Sequence, residues 1–247
     1  MKNKNILIIG GSFGIGEELC RELANSGANL IIAARSEDKI KELANDLPGD
    51  HQAIACDISG EKDLKKLAKE TGKKWSEIDL ILFCAGIYQP MNFDNFDAKV
   101  AQNILQINFC SFLSFIDSFL PIFKEKRIRH LAVISSVAGY FGMPNSLAYG
   151  ASKAGLSNLV ESLHYQLRPY QTKVQLINPG FVKSRLTKQN SFKMPGIISA
   201  NKAAKIIIKN LPKNKFEITF PFLFVLTFRI LRLLPCKLRF LFFQNAK

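Results

Sequence analysis

The chain has 247 residues, 47% of them hydrophobic and 22% charged, a length and balance that suit one α/β domain with a full-sized core and exclude wholesale disorder. Its five cysteines (Cys20, Cys56, Cys84, Cys110, Cys236) are scattered without a CxxC pair and its three histidines stand far apart, which argues against a disulfide frame or metal site and for a reducing, cytoplasmic setting. The net charge of +14 sits at one end: residues 1–182 carry 20 Lys/Arg against 19 Asp/Glu, and residues 183–247 carry 14 against Glu217 alone, so no nucleic-acid surface is expected, only a basic tail on a neutral domain.

The run Asn5–Ile9 (NILII) reads as a buried strand, and Gly10–Gly11 interrupt it too soon for a secretory leader. GGSFGIG follows, with Gly10, Gly14 and Gly16 in GxxxGxG spacing, and then a helical pattern over Glu17–Ser26. Such a turn lets a pyrophosphate approach helix N–H groups, with Ser12, Phe13 and Ile15 at the same contact. A second strand, Asn29–Ala33, ends in Ala34–Arg35. An acid there would bond the ribose hydroxyls of NAD, whereas Arg35 suits the 2′-phosphate of NADP(H). Ser36 caps a helix over Glu37–Leu47, which Pro48–Gly49 stops. The third strand, His51–Cys56, leads to Asp57 and Ile58 at an adenine edge. Glu61–Lys74 is a lysine-rich amphipathic helix with a solvated face. Asp79–Phe83 is the fourth strand, and the CAGIY after it places Ala85 and Gly86 beside a cofactor ribose. This alternation predicts a doubly wound parallel sheet.

A phenylalanine-rich helix is expected over Phe96–Phe123, serving core and subunit interface. The fifth strand, LAVIS, ends at Ser135, so Ser136 stands at the sheet edge where ligands bind. Tyr149 follows thirteen residues later and Lys153 four after that, one helical turn apart on a helix from Ala148 to Leu167. A free tyrosine titrates near pH ~10. A neighbouring ammonium favours its phenolate and brings the proton within reach. Lys173–Ile177 is the sixth strand, and NPGFVKS after it turns at Pro179–Gly180 to offer the Val182 main chain and the Ser184 hydroxyl to a carboxamide. Residues 185–199 form a substrate lid, Ala200–Leu211 a basic amphipathic helix, and Lys215–Thr219 the last strand. Nothing divides residues 1–219 into smaller units.

The remaining stretch, 220–247, reads FPFLFVLTFRILRLLPCKLRFLFFQNAK. Ile218–Phe228 is eleven residues without a charge, short of the roughly 20 that a span needs, and Pro235 divides the segment into two short helices. Arg229 and Arg232 share one face, leaving a broad apolar face. The expected partner is an anionic membrane surface, to which each basic residue adds about 1 kcal/mol. The other arrangement is packing over the substrate cleft or a second subunit.

GGSFGIG, AAR, CDI, CAG, the Asn108 of QIN, SSVAG, YGASK and NPGFVKS, in that order over residues 5–219, together resemble the short-chain dehydrogenase/reductase family. The resemblance implies an α/β fold, with a Rossmann-type seven-stranded parallel sheet and helices on both faces, and a nicotinamide cofactor. It also implies an Asn–Ser–Tyr–Lys tetrad at Asn108, Ser136, Tyr149 and Lys153. Tyr149 would donate the proton, Ser136 hydrogen-bond the developing alkoxide, and Lys153 lower the Tyr149 pKa and hold the nicotinamide ribose. Asn108 would position a water that reprotonates the site. Ile9 stands where the family usually has Thr, Cys84 where it has Asn, and Ser184 where it has Thr. The expected activity is NADP(H)-dependent interconversion of a hydrophobic carbonyl and its alcohol by a homodimer or homotetramer. The alternative is a non-catalytic NADP(H)-binding regulatory protein. A nucleotide-sugar epimerase is disfavoured by the glycine spacing and by the short chain after the sixth strand.

Overall fold

The computed structural model describes residues 1–190, 192 and 194–243. Seven strands, β1 (Asn5–Ile9), β2 (Asn29–Ala34), β3 (Gln52–Ala55), β4 (Leu80–Phe83), β5 (His130–Ile134), β6 (Lys173–Pro179) and β7 (Glu217–Phe220), form one sheet. Their order is β3-β2-β1-β4-β5-β6-β7, and each neighbouring pair is parallel. The helices are α1 (Gly14–Asn25), α2 (Glu37–Asp46), α3 (Glu61–Lys74), α4 (Ala98–Leu105), α5 (Ser111–Lys124), α6 (Leu147–Gln166), α7 (Ala200–Asn210), α8 (Phe222–Leu233) and α9 (Cys236–Phe243).

The branched aliphatics of β1 suit a strand covered on both faces, and successive side chains divide between them. Ile6 and Ile8 join Leu19 and Leu23 of α1, Ile40 of α2 and Ile207 of α7 in one core. Leu7 and Ile9 join Leu64 of α3, Phe112, Phe115 and Phe119 of α5, and Leu156 of α6 in the other. Within that second core the Phe83 ring lies 5.0 Å from Phe112 and 5.3 Å from Phe115. Each such fully buried side chain stabilises the fold by about 1.5–3 kcal/mol. Strand order reverses between β1 and β4, which opens a crevice beyond the carboxyl ends of the strands.

The expected long helix runs from Ala98 to Lys124 but is not regular. A π-helical turn at Gln106–Cys110 separates α4 from α5 and leaves Asn108 fully buried. Extra-residue turns of this kind redirect a side chain that a regular helix would aim elsewhere. The run Ala98–Lys124 is long and apolar enough to cross a membrane, but Phe112, Phe115 and Phe119 commit it to the core. Strand β7 extends to Phe220, and α8 and α9 follow on either side of Pro235. The sequence expectations for Ser191 and Lys193 in the lid, and for Gln244–Lys247 in the tail, lie outside the described residues.

Candidate active site

Two contacts set the end of β5 against α6. The Ser135 hydroxyl donates to the Lys153 carbonyl at 3.1 Å and shares a 2.8 Å bond with Ser157. Just beyond, Gly139 presses on α6 so closely that a Cβ there would lie 2.7 Å from the Lys153 carbonyl carbon. With strand end and helix held together, Ser136, Tyr149 and Lys153 border one cleft of about 1180 Å³. The Ser136 Oγ accepts the Ala138 N–H at 3.1 Å.

The electrostatics depart from expectation. Burial pushes the Tyr149 phenol up to about 12, against an opposing effect from its hydrogen bond with Ser136. Lys153 is not what lowers it. The amine sits 5.9 Å from the Tyr149 ring centroid and donates to the Ile134 carbonyl at 3.1 Å. It is itself pushed down to about 8 by burial, with the Cys84 thiol acting the other way. Two adjacent groups short of water each favour the neutral form, and here desolvation outweighs their mutual field.

Asn108 does not border the cleft. Its side chain accepts the Ile87 N–H at 2.8 Å, donates to the Ile87 carbonyl at 2.9 Å and donates to Ser152 Oγ at 3.1 Å. Asn108 thereby fixes the chain that leaves β4. That chain carries Tyr88, which the sequence reading passed over. The Tyr88 ring meets Tyr149 edge-on at 4.9 Å, and its hydroxyl donates to Asn190 at 2.7 Å. An aromatic directly after CAGI was the available signal.

Each residue expected from the sequence to contact a cofactor, from Gly10 through Ser184, borders the same cleft. Gly10 turns with φ +89°, and a Cβ on Gly16 would stand 2.1 Å from the Gly10 carbonyl oxygen, so strand and helix cross here only through glycine. Phe13 precedes α1 in an extended conformation, and among the described residues no side chain caps this helix. Its N-terminus faces the cleft among cations: Lys39 lies 4.0 Å and Arg185 3.1 Å from the Phe13 ring centroid. Arg35 is exposed at the end of β2. The Asp57 carboxyl is held below its usual range by hydrogen bonds from Ser59 and, to a smaller extent, by Arg35. Arg185 carries no motif and became visible only in three dimensions.

The opposite wall is apolar. Phe181 and Phe192 line it together with Leu223, Phe224, Phe228 and Leu231 of α8 and Phe242 and Phe243 of α9. Phe224 lies 5.3 Å from Phe181 and 4.6 Å from Phe228. One face of the tail thus packs over the cleft. Arg229, expected on a lipid-facing surface, instead binds Glu217 at 2.6 Å, and Arg232 lies over the Tyr140 ring.

A family profile described as short chain dehydrogenase matches residues 4–194. An uncharacterized oxidoreductase of Myxococcus xanthus is 29% identical over 243 residues, 95% of this chain and 94% of its own. The 3-ketodihydrosphingosine reductase of Bos taurus is 26% identical over 231 residues, 86% of this chain and 70% of its own. The Pseudomonas aeruginosa RhlG/NADP active-site complex is 30% identical, with a TM-score of 0.70 over 76% of each chain. A short chain dehydrogenase/reductase of Burkholderia phymatum in complex with NAD reaches a TM-score of 0.83 over 92% of each chain at 19% identity, a likeness of fold.

Proposed function

The chain belongs to the short-chain dehydrogenase/reductase family, as an oxidoreductase with a nicotinamide cofactor, and we propose that it uses NADPH to reduce a ketone borne on a long apolar chain. The observation that carries this reading is one cleft with two unlike halves. Ser136, Tyr149 and Lys153 stand beside an uncapped helix N-terminus on one side, and a wall of phenylalanine and leucine closes the other.

The residues present fit the cofactor. The first N–H groups of α1 and the helix dipole suit a pyrophosphate. Arg35, with Lys39 and Arg185 nearby, suits a 2′-phosphate. Asp57 and Ile58 would border the adenine, and Ala85 and Gly86 the adjoining ribose. Lys153 would hold the nicotinamide ribose, and Pro179, Gly180, Val182 and Ser184 the carboxamide end. When bound, the nicotinamide supplies a hydride to the carbonyl carbon.

The protein supplies the rest. With its phenol pushed up to about 12, Tyr149 keeps its proton at neutral pH and can deliver it to the carbonyl oxygen. The Ser136 hydroxyl bonds the oxygen as negative charge grows on it. Lys153, pushed down to about 8 by burial, is mostly protonated at pH 7, and its ammonium would hold the cofactor beside Tyr149. Asn108 is a positioning residue that acts through Ile87. The 3-keto lipid in the bovine relative's name belongs to the chemical class that the apolar wall suits.

The test is NADPH consumption by purified protein over a series of ketones differing only in alkyl length. Rising kcat/KM with chain length is expected. Tight NADPH binding with no turnover of any carbonyl would replace the enzyme with the non-catalytic, cofactor-binding reading.

A further inference from the structure

We propose that α8 and α9 dock this protein on an anionic lipid bilayer by their outward faces, and that the substrate enters the cleft from the membrane side. The identity of what enters rests on the reductase reading; the docking does not.

At 3.6 residues per turn, α8 carries two apolar faces. Phe224, Val225, Phe228 and Leu231 point into the protein, where Val225 and Leu231 are buried. Phe222, Leu226, Ile230 and Leu233 fall within an arc of roughly 100° on the opposite side. They are exposed, Phe222 to 72% and Leu233 to 84%. The exposed face continues onto α9 through Leu238 and Leu241. The protein covers only the first of these two apolar faces. These two helices, of 12 and 8 residues, are too short for the roughly 20 residues of a span. They can lie in the interface plane.

Charge selects the occupant. Helices α8 and α9 carry Arg229, Arg232, Lys237 and Arg239 and no Asp or Glu, with Arg229 paired to Glu217 of β7. A second copy meeting this face about a two-fold axis would set two cationic tails against each other. An anionic bilayer complements both the apolar face and its charge.

The face is also continuous with the cleft. Leu223 and Phe242 line the cleft and are 76% and 63% exposed. They mark a rim where an alkyl chain passes from lipid to cleft without crossing water.

The experiment floats the full chain with vesicles of phosphatidylcholine, alone or mixed with phosphatidylglycerol. Co-flotation with the mixed vesicles is expected, at least tenfold above the neutral ones. The triple variant Leu226→Ser, Ile230→Ser, Leu233→Ser should lose that binding at least tenfold while still binding NADPH and turning over a short, water-soluble ketone. Should the triple variant misfold, Leu233→Trp decides: its emission should shift to the blue on anionic vesicles and be quenched by brominated acyl chains. A full chain that stays in solution with anionic vesicles, or a folded triple variant that floats as well as the parent, overturns the proposal. So does a dimer that the triple variant splits, with no vesicle binding by either. Vesicle binding without turnover refutes the reductase reading and leaves the docking standing.

Discussion

Glu217 of β7 and Arg229 of α8 meet at 2.6 Å, and the same carboxylate accepts the Asn178 amide at 2.7 Å and the Tyr140 hydroxyl. One side chain therefore joins β6, β7, the segment following Ser136 and the helix that roofs the cleft. Burial pushes this carboxyl up, but the bonds from Tyr140, Asn178 and Arg229 outweigh it and hold it below the usual carboxylate range.

Glu217→Ala leaves the Tyr140 and Asn178 donors without their acceptor, which should cost about 2–3 kcal/mol and lower Tm by roughly 4–10 °C. Arg229→Ala should cost less than about 1 kcal/mol, because its guanidinium is half exposed and water replaces the pair. The folded carboxyl lies below its unfolded value of 4.5. Its stabilisation is therefore present above pH 4.5 and lost as pH falls through the folded value. Thermal unfolding of wild type and Glu217→Gln at pH 7 should show a gap that closes in acid. Equal costs for Glu217→Ala and Arg229→Ala would mean that the tail, rather than the two neighbouring donors, carries the effect.

Tyr149→Phe removes one hydroxyl from the position that borders Ser136 and Lys153. General acid catalysis contributes about 10²–10⁴-fold, so turnover should fall at least 10²-fold. Fold and NADPH affinity should stay within about twofold by thermal unfolding and fluorescence titration. Retention of more than a few per cent of activity would assign the proton to another group, with Tyr88, edge-on at 4.9 Å, the first to examine.

The arginine at the end of β2 makes cofactor choice measurable. A charge-assisted bond to a 2′-phosphate contributes about 1.5–3 kcal/mol, so NADPH should bind at least tenfold more tightly than NADH. Arg35→Ala should shrink that ratio without changing NADH affinity. Because Arg185 and Lys39 flank the same Phe13 ring, a residual preference should remain and should shrink further in Arg35→Ala, Arg185→Ala. Equal dissociation constants for the two cofactors in the unmutated protein would sink the assignment.

Much of this was readable because its signals are local. The aliphatic run of β1, the glycines that let α1 cross it, and the spacing of Tyr149 and Lys153 on α6 each depend on neighbours a few residues away. What was hidden depends on distant segments meeting. Arg185 covers Phe13 only after β6 delivers it there, and Tyr88 meets Tyr149 only because Asn108 grips Ile87. Nothing in QINFC announces the π-turn that leaves Asn108 fully buried. In α8 the apolar residues were evident, but which face is covered follows from Phe181, on the loop after β6.

The last prediction concerns pH and rests on Lys153, which is 4% exposed with its amine pushed down to about 8. The unfolded value is 10.5, so between about pH 8 and 10.5 the unfolded chain binds more protons and stability rises with pH. Below 8 the cost of burying the charge is fully present. Lys153→Met should therefore be more stable than wild type at pH 7 by a few kcal/mol, an advantage that fades as pH approaches 10.5. Activity should report the same group with the opposite sign. With NADPH limiting, kcat/KM for ketone reduction follows ionisation of the free protein. It should fall above pH about 8, because the neutral amine no longer attracts the cofactor. Tyr149 itself stays protonated to about 12 and cannot set that limb. Lys153→Arg keeps a charge through this range and should move the fall beyond the measurable alkaline limit, at a reduced plateau. A limb that remains near pH 8 in Lys153→Arg would belong to another residue, and Lys153 would then be structural.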